Sequence, residues 1–257
     1  MRLPLSLVLL ATSPLPGQQP TFEVAAIKPS NPAPADRNNS SFNTQGNGLR
    51  ATNTSLYQLV RMALAVQDFQ IRGGPAWIKD SRFDISAKND VTEPDTPDSD
   101  RKGQQAQLTR FRARVMNLLT DRFKLVLREE NRELPMYALT VDKGTPNLKV
   151  AVEPKRGYSS DGGDLGGNFN GTGIRMEDLC EFLAGVLERP VVDETGLNGF
   201  YDVAFKYALD KSAGGELDVT GASIFTVMRE TFGLRLVSKR GQVKAWVIVR
   251  ADKPSEN

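Results

Sequence analysis

The chain of 257 residues contains no histidine. Histidine most often serves as general base, metal ligand or proton switch near neutral pH, so its absence excludes Ser-His-Asp and Cys-His catalysis. A single cysteine, Cys180, can form neither an internal disulfide nor a cysteine-rich metal site. The formal net charge of +2 gives no field that would attract nucleic acid. The sequence therefore predicts no catalytic constellation, no metal site, no cofactor and no nucleic-acid partner.

The N-terminus has the pattern of a secretory signal peptide. Arg2 precedes an apolar run over residues 3–10, and small and polar residues follow. The run is too short for a transmembrane helix, and no later stretch approaches the ~20 apolar residues that a helix needs to span a bilayer. We expect residues 1–20 to be a signal peptide and the mature chain to be periplasmic or extracellular, with no transmembrane segment. The expected cleavage sites follow Ser13, Gly17 or Gln19.

An internal repeat organises the rest of the chain. Residues 56–60 align with residues 176–180, and residues 83–88 align with residues 201–206, where an aromatic residue, an aspartate and a final lysine recur in order. We expect an α+β fold, a tandem duplication of a βαββαβ-type unit with small mixed sheets, each covered by two helices. The predicted copies span residues 21–147 and 148–257.

Periodicity and capping residues predict the elements of both copies. In the first copy these are strands over 49–52, 69–72 and 82–88, a helix from Leu56 capped by Thr54 or Ser55, a helix over 108–119, and a hairpin of residues 124–128 and 136–142. In the second copy they are helices over 176–187 and 223–231, strands over 190–193 and 200–207, and a hairpin of residues 234–238 and 243–250.

Polar segments between these elements predict loops. Residues 89–107 are charged and broken by prolines, which is typical of a long mobile loop. Residues 31–47 and 157–173 are rich in glycine, asparagine and serine, and residues 208–220 correspond to the long loop of the first copy. Because loops on a rigid scaffold commonly carry recognition, we expect these segments to contribute to binding.

Four residues are candidates for binding. Trp77, beside the turn at residues 73–75, is either an exposed anchor for a partner or part of the core. Arg72 ends the strand before that turn. Asp84 and Asp202 hold equivalent strand positions, where an outward-facing carboxylate is the simpler interpretation and a paired acid–base role is the alternative. Cys180, within an apolar stripe, is expected to be an inert buried thiol.

Several segments closely resemble a bacterial, soil-associated family of secreted proteins known only as domain of unknown function 3738. The matching segments are residues 22–29, 66–71, 73–75, 121–125, 134–139, 189–193, 195–197 and 253–257. The resemblance implies no activity and transfers no catalytic residue. Each half also looks like the short N-terminal domain of secretins and TonB-dependent receptors, in which small βαβ units mediate protein contacts near the outer membrane.

The sequence therefore predicts an extracytoplasmic, non-enzymatic interaction or sensing module, whose partner is an unknown protein or glycan of the cell envelope. The alternative is a carboxylate-dependent hydrolase acting on envelope or plant polysaccharide, because such an enzyme needs only two carboxylates at a defined separation. A buried, closely spaced carboxylate pair in a cleft would favour the hydrolase. The lack of such a pair together with an exposed apolar sheet edge would favour binding.

Overall fold

The structure is a computed structural model that describes residues 20–32, 39–43, 48–88, 101–152, 157–163, 166–209 and 222–254. The chain divides into two compact units by its internal contacts. Unit 1 comprises Met1–Val66, Gly73–Arg128 and Ile248–Asn257, and unit 2 comprises Gln67–Arg72 and Glu129–Val247. The predicted copies, residues 21–147 and 148–257, are consecutive stretches of the sequence, whereas each of these units is built from separate stretches. The predicted boundary between the copies therefore stays a prediction. Nearly all of the predicted signal peptide, residues 1–19, lies outside the described residues.

The predicted α+β class is confirmed. The elements in chain order are β1 Val24–Pro29, β2 Ser41–Asn43, β3 Leu49–Ser55, α1 Leu56–Leu64, β4 Ile71–Gly73, α2 Trp77–Asp80, β5 Arg82–Lys88, α3 Arg101–Arg122, β6 Val126–Val141, β7 Lys149–Val150, β8 Gly157–Gly163, β9 Gly166–Ile174, α4 Met176–Leu187, β10 Val191–Asp193, β11 Tyr201–Ala208, α5 Ile224–Phe232 and β12 Leu234–Arg250. A 3₁₀ turn over Asp68–Gln70 precedes β4.

The described strands form three four-stranded sheets. One sheet of unit 1 has the order β1-β5-β3-β2, and one sheet of unit 2 has the order β7-β11-β9-β8. All neighbours in these two sheets are antiparallel. The third sheet, of order β10-β6-β12-β4, is mixed, because β10 pairs with β6 in parallel. None of the helices within the described ranges is long and apolar enough to cross a bilayer.

Helix α1 begins where its sequence predicts. Ser55 is the N-cap: its hydroxyl accepts a hydrogen bond from the Gln58 amide at 3.2 Å, and the Gln58 side chain accepts one from the Ser55 amide at 3.0 Å. This capping box gives hydrogen-bond acceptors to two amides that have no partner within the helix. Such a cap typically stabilises the folded protein by about 1 kcal/mol. The helix buries one apolar stripe, namely Leu56, Leu59, Val60 and Ala63.

Helix α4 has the predicted bounds and covers the core of unit 2. Leu179, Cys180 and Leu183 are buried in a cluster with Phe169, from β9, and Met228, from α5. Cys180 is a buried free thiol, as predicted. Burial, reinforced by the nearby carboxylates of two acidic residues, raises the pKa of this thiol to about 12.

Both predicted hairpins are wrong. The segments around the predicted turns at residues 129–133 and 239–241 continue as single long strands, β6 and β12. These two strands are neighbours in the mixed sheet. Ion pairs join Glu129 to Lys244 and Glu133 to Arg240, each at 2.8 Å. The residues read as a polar turn are therefore charged partners across two strands, and such pairs stabilise a sheet from its exposed face.

Three of the predicted loops contain regular structure. Residues 157–163 and 166–173 lie in β8 and β9, which pair antiparallel, and residues 41–43 form β2. A Cβ at Gly167 would lie 2.1 Å from the Asp161 carbonyl oxygen, so glycine there permits close strand approach rather than a loop. Residues 101–107 belong to α3, because polar Gln and Lys are good helix formers even without an apolar stripe. Residues 89–100 and 210–220 of the other predicted loops lie outside the described residues.

The long-strand geometry predicts energetic coupling between Glu133 and Arg240. Glu133→Arg and Arg240→Glu each place like charges opposite one another, whereas the double exchange restores the pair. In urea unfolding we expect the double variant to be more stable than the sum of the two single effects predicts. The expected coupling energy is about 0.2–1 kcal/mol, which is typical of exposed pairs. Strict additivity would contradict the cross-strand pairing.

The burial of Cys180 predicts a thiol that reacts only on unfolding. At pH 8 the native thiol stays protonated because its pKa is about 12, and the surrounding helices exclude reagent. We expect labelling by a chromogenic disulfide reagent to be at least about 100-fold slower in native protein than in urea. Equal rates in both states would show that α4 does not cover this core.

Candidate functional site

Asp84 and Asp202 each hold the backbone of a β-bulge. In unit 1, two residues of β3, Thr52 and Asn53, stand opposite Asp84 of β5, because Ala51 pairs with Ile85 and Thr54 pairs with Phe83. The Asn53 amide donates to Asp84 Oδ1 at 3.0 Å. Asn53 has a left-handed φ of 52°. An aspartate acceptor that holds such a residue gives Asp84 a structural role in the sheet.

The same arrangement occurs in unit 2. Thr172 and Gly173 of β9 stand opposite Asp202 of β11, and the Gly173 amide donates to Asp202 Oδ1 at 3.0 Å. Gly173 has a left-handed φ of 59°, which glycine adopts without strain. Helix α4 begins three residues after this bulge. Each aspartate therefore supports the end of a strand that leads into a helix.

A lysine lies beside each of these aspartates. Lys28 Nζ is 3.9 Å from Asp84 Oδ2, and Lys149 Nζ is 3.0 Å from Asp202 Oδ2. The hydrogen-bonded Lys149 ammonium and, after it, the Gly173 amide lower the pKa of Asp202. The two aspartates belong to different units, and each supports the bulge of its own sheet.

Trp77 and Arg72 are both engaged by neighbouring side chains. The half-buried Trp77 indole stacks on Phe123 at a centroid distance of 6.5 Å and meets Phe83 edge-on at 6.3 Å. Arg72 Nε and Nη2 donate to the two carboxylate oxygens of Glu130, at 2.6 and 2.7 Å. The structure thus places Trp77 in an aromatic cluster and Arg72 in a bidentate ion pair. Their proposed roles in binding stay predictions.

An open groove of about 350 Å³ lies in unit 2, lined by residues of three elements and by Gln67, which precedes the 3₁₀ turn. We call it the β8–α4 groove. Its lining residues are Gln67, Tyr158, Ser160, Asp161, Gly162, Glu181, Phe182, Gly185, Val186 and Tyr207. Tyr158 to Gly162 come from β8, Glu181 to Val186 from α4, and Tyr207 from β11. The volume falls at the lower end of the range for small-ligand sites.

Aromatic rings form one side of the groove. Phe182 lies 4.4 Å from Phe169 and 5.8 Å from Tyr207, between ring centroids. Tyr158 stacks on Phe169 at 5.6 Å and remains 48% exposed. Phe169 itself is buried in the core, so it anchors the exposed rings from below. These contacts hold the groove aromatics on rigid elements, which favours a preformed site.

Two carboxylates give the groove its charge. Asp161 is fixed by hydrogen bonds to Oδ1 from the Asn168 amide at 3.2 Å and from Asn168 Nδ2 at 2.6 Å. Glu181 lies on the exposed face of α4. Burial and the charge of Asp161 raise the pKa of Tyr207, so its hydroxyl stays protonated and can donate or accept a hydrogen bond.

The groove residues escaped prediction from the sequence. Phe182 and Val186 lie outside the Leu179–Leu183 stripe of α4. Apolar residues beyond the buried stripe of one helix are the sequence feature that could have indicated a second surface on α4. Gly162 lies within a segment read as a loop. Among the described residues no three acidic or thiol side chains gather in a way that could hold a metal. Asp178 is the one buried carboxylate among the residues that the structure describes. It caps helix α4 by accepting a hydrogen bond from the Arg175 amide at 2.9 Å.

The lowered pKa of Asp202 predicts an acid-dependent contribution to stability. An aspartate whose pKa is depressed in the folded state stabilises above its unfolded pKa near 3.9, and this contribution is lost as pH falls through the folded value. Asp202→Asn keeps an acceptor for Gly173 but removes the charge. We expect thermal unfolding to show the variant less stable than wild type at pH 7, with the difference lost as the pH falls through the folded-state pKa of Asp202. A pH-independent difference would contradict the ion pair with Lys149.

Comparisons with known proteins identify a family but no characterised relative. The family model described as "Protein of unknown function (DUF3738)" matches residues 57–251, about three quarters of the chain. No curated protein and no solved structure matches the chain significantly. The matched region contains all of the β8–α4 groove and both bulge-supporting aspartates. The chain therefore belongs to the DUF3738 family of proteins of unknown function.

Proposed function

We propose that this protein is an extracytoplasmic, non-enzymatic interaction or sensing module that binds its partner through the β8–α4 groove. The observation that carries the proposal is the groove itself, in which aromatic rings, an amide and two carboxylates converge on rigid elements. Ligand sites commonly combine apolar and aromatic walls with a few placed polar groups. The proposed partner is a protein or glycan of the cell envelope.

The proposal of export rests on the signal-peptide pattern of residues 1–20. Expression of the full chain in a bacterium, followed by fractionation and N-terminal sequencing, tests it. We expect a periplasmic or extracellular product that begins after Ser13, Gly17 or Gln19. An unprocessed cytoplasmic product would contradict export.

We further propose that the two halves arose by duplication of one unit. The strand orders β1-β5-β3-β2 and β7-β11-β9-β8 follow the same connections, and each sheet has a bulge held by an aspartate. This pattern supports the likeness to the short N-terminal domains of secretins and TonB-dependent receptors only as an analogy of architecture. Such units would suit protein contact at the outer membrane, although fold alone assigns no function.

Blocking the groove tests the recognition role. An added Cβ at Gly185 would lie 3.7 Å from Gln67 Oε1, an ordinary contact, and tryptophan is a better helix residue than glycine. Gly185→Trp should therefore fold while its indole fills the groove. Glu177→Trp, on the same helix but outside the groove lining, is the matched control.

We expect wild type and Glu177→Trp to capture the same saturable partner from an envelope extract or a glycan array, and Gly185→Trp to lose at least about tenfold in affinity. Circular dichroism and thermal unfolding check that both variants are folded. Partners that bind Gly185→Trp as well as wild type would place recognition elsewhere. The absence of any saturable partner of the folded wild type would remove support for an interaction module.

The carboxylate-dependent hydrolase remains the second candidate because Asp161 and Glu181 line one groove. Under this proposal, wild type would release reducing ends from envelope or plant polysaccharide, and Asp161→Asn and Glu181→Gln would each lose roughly 10²-fold or more in rate. Both substitutions keep the size of the side chain. No release by the wild-type protein would exclude the tested polysaccharides as substrates, and release that survives both substitutions would exclude the carboxylate pair.

A further inference from the structure

We propose that the β8–α4 groove receives the side chain of a lysine or arginine from an extended segment of a partner polypeptide. The inference rests on the proposed function, because it takes the groove as the recognition site, and it adds the chemistry of the partner. Charge, aromatic surface and the position of the groove at a sheet edge each support it.

The charge of the groove favours a cation. Asp161 lies on β8 and Glu181 on α4, whereas no lysine or arginine is among the lining residues that the structure describes. Among the described residues Glu181 has no ion-pair partner. The charge of Asp161 also reaches the Tyr207 hydroxyl, whose pKa it helps to raise. Opposite charge in a partly enclosed groove gains more from Coulomb attraction than on an open surface.

The aromatic side of the groove suits the rest of a basic side chain. Tyr158, Phe182 and Tyr207 present ring surface beside the carboxylates. A lysine or arginine stem packs its methylene groups on such surface, and its charged end gains from the ring faces as well as from the carboxylates. A neutral sugar could stack on the rings but would leave the charges without an opposite partner.

The sheet edge favours a polypeptide over a free amine. β8 is the last strand of the order β7-β11-β9-β8, and no other described strand pairs with its outer edge. An exposed edge can accept an extended segment through main-chain hydrogen bonds, while side-chain pockets supply specificity. Tyr158 and Ser160 of β8 line the groove, so a segment along this edge would pass beside it.

A random octapeptide library displayed on phage tests the inference with the purified full chain. Peptides selected on wild type and counter-selected on Gly185→Trp should share a lysine or arginine at one position. The leading peptide, made synthetically, is then measured by fluorescence polarisation together with an analogue that carries norleucine in place of the basic residue. n-Butylammonium and a neutral oligosaccharide are the small-molecule arms.

We expect Glu181→Gln to weaken peptide binding about tenfold, equivalent to the loss of one charge contact of roughly 1.4 kcal/mol. Glu177→Gln, one turn earlier on α4 and outside the lining, should stay within about twofold of wild type. Binding should weaken on going from about 0.15 M to 0.5 M salt, because screening shortens the range of the attraction. The norleucine analogue should bind wild type about tenfold more weakly than the parent peptide does.

Three results of the peptide experiments would overturn the inference. These are no enrichment over the Gly185→Trp counter-selection, enrichment of peptides without a basic residue, and equal binding of the norleucine analogue. Binding of n-butylammonium as tightly as the peptide would refute the polypeptide source. Saturable oligosaccharide binding that Gly185→Trp abolishes would reject the basic peptide yet leave the proposed recognition function intact, which separates the two failures.

Discussion

The hydrogen bond from the Gly173 amide to the Asp202 carboxylate is the contact on which the placement of the groove depends. It holds an extra residue in β9, and the left-handed turn of Gly173 redirects the chain into α4. Helix α4 then carries Phe182 and Glu181 over the sheet that contributes Tyr158 and Tyr207. A bulge that re-aims a strand beside a site is a recurrent use of this irregularity.

The two units use this support for different surfaces. Asp84 holds Asn53 in unit 1 as Asp202 holds Gly173 in unit 2. When the alignment of residues 56–60 with residues 176–180 is continued by one position, Arg61 aligns with Glu181. The charge at the groove position is therefore inverted between the two units. A shared scaffold with exchanged surface residues is how one fold acquires a local binding specificity.

Local signals in the sequence predicted the helices well and the long-range pairings poorly. Ser55 and the apolar stripe of α4 identified their helices because capping and helical periodicity are properties of neighbouring residues. The charged stretch at Glu129–Glu133 resembled a turn because its partners, Lys244 and Arg240, are distant in sequence. The glycines of β8 and β9 suggested loops, although close strand approach requires glycine at Gly167. The groove was not predictable, since its residues meet only after β8, α4, β11 and the segment at Gln67 assemble.

Amide hydrogen exchange of Gly173, resolved by NMR, tests most directly whether the Asp202 carboxylate supports this architecture. Asp202→Ala removes the acceptor, whereas Asp202→Asn retains one and serves as the control. We expect Asp202→Ala alone to accelerate exchange of the Gly173 amide and of the first turn of α4, by roughly tenfold or more. Unchanged exchange in Asp202→Ala would contradict the claim that this carboxylate holds the bulge.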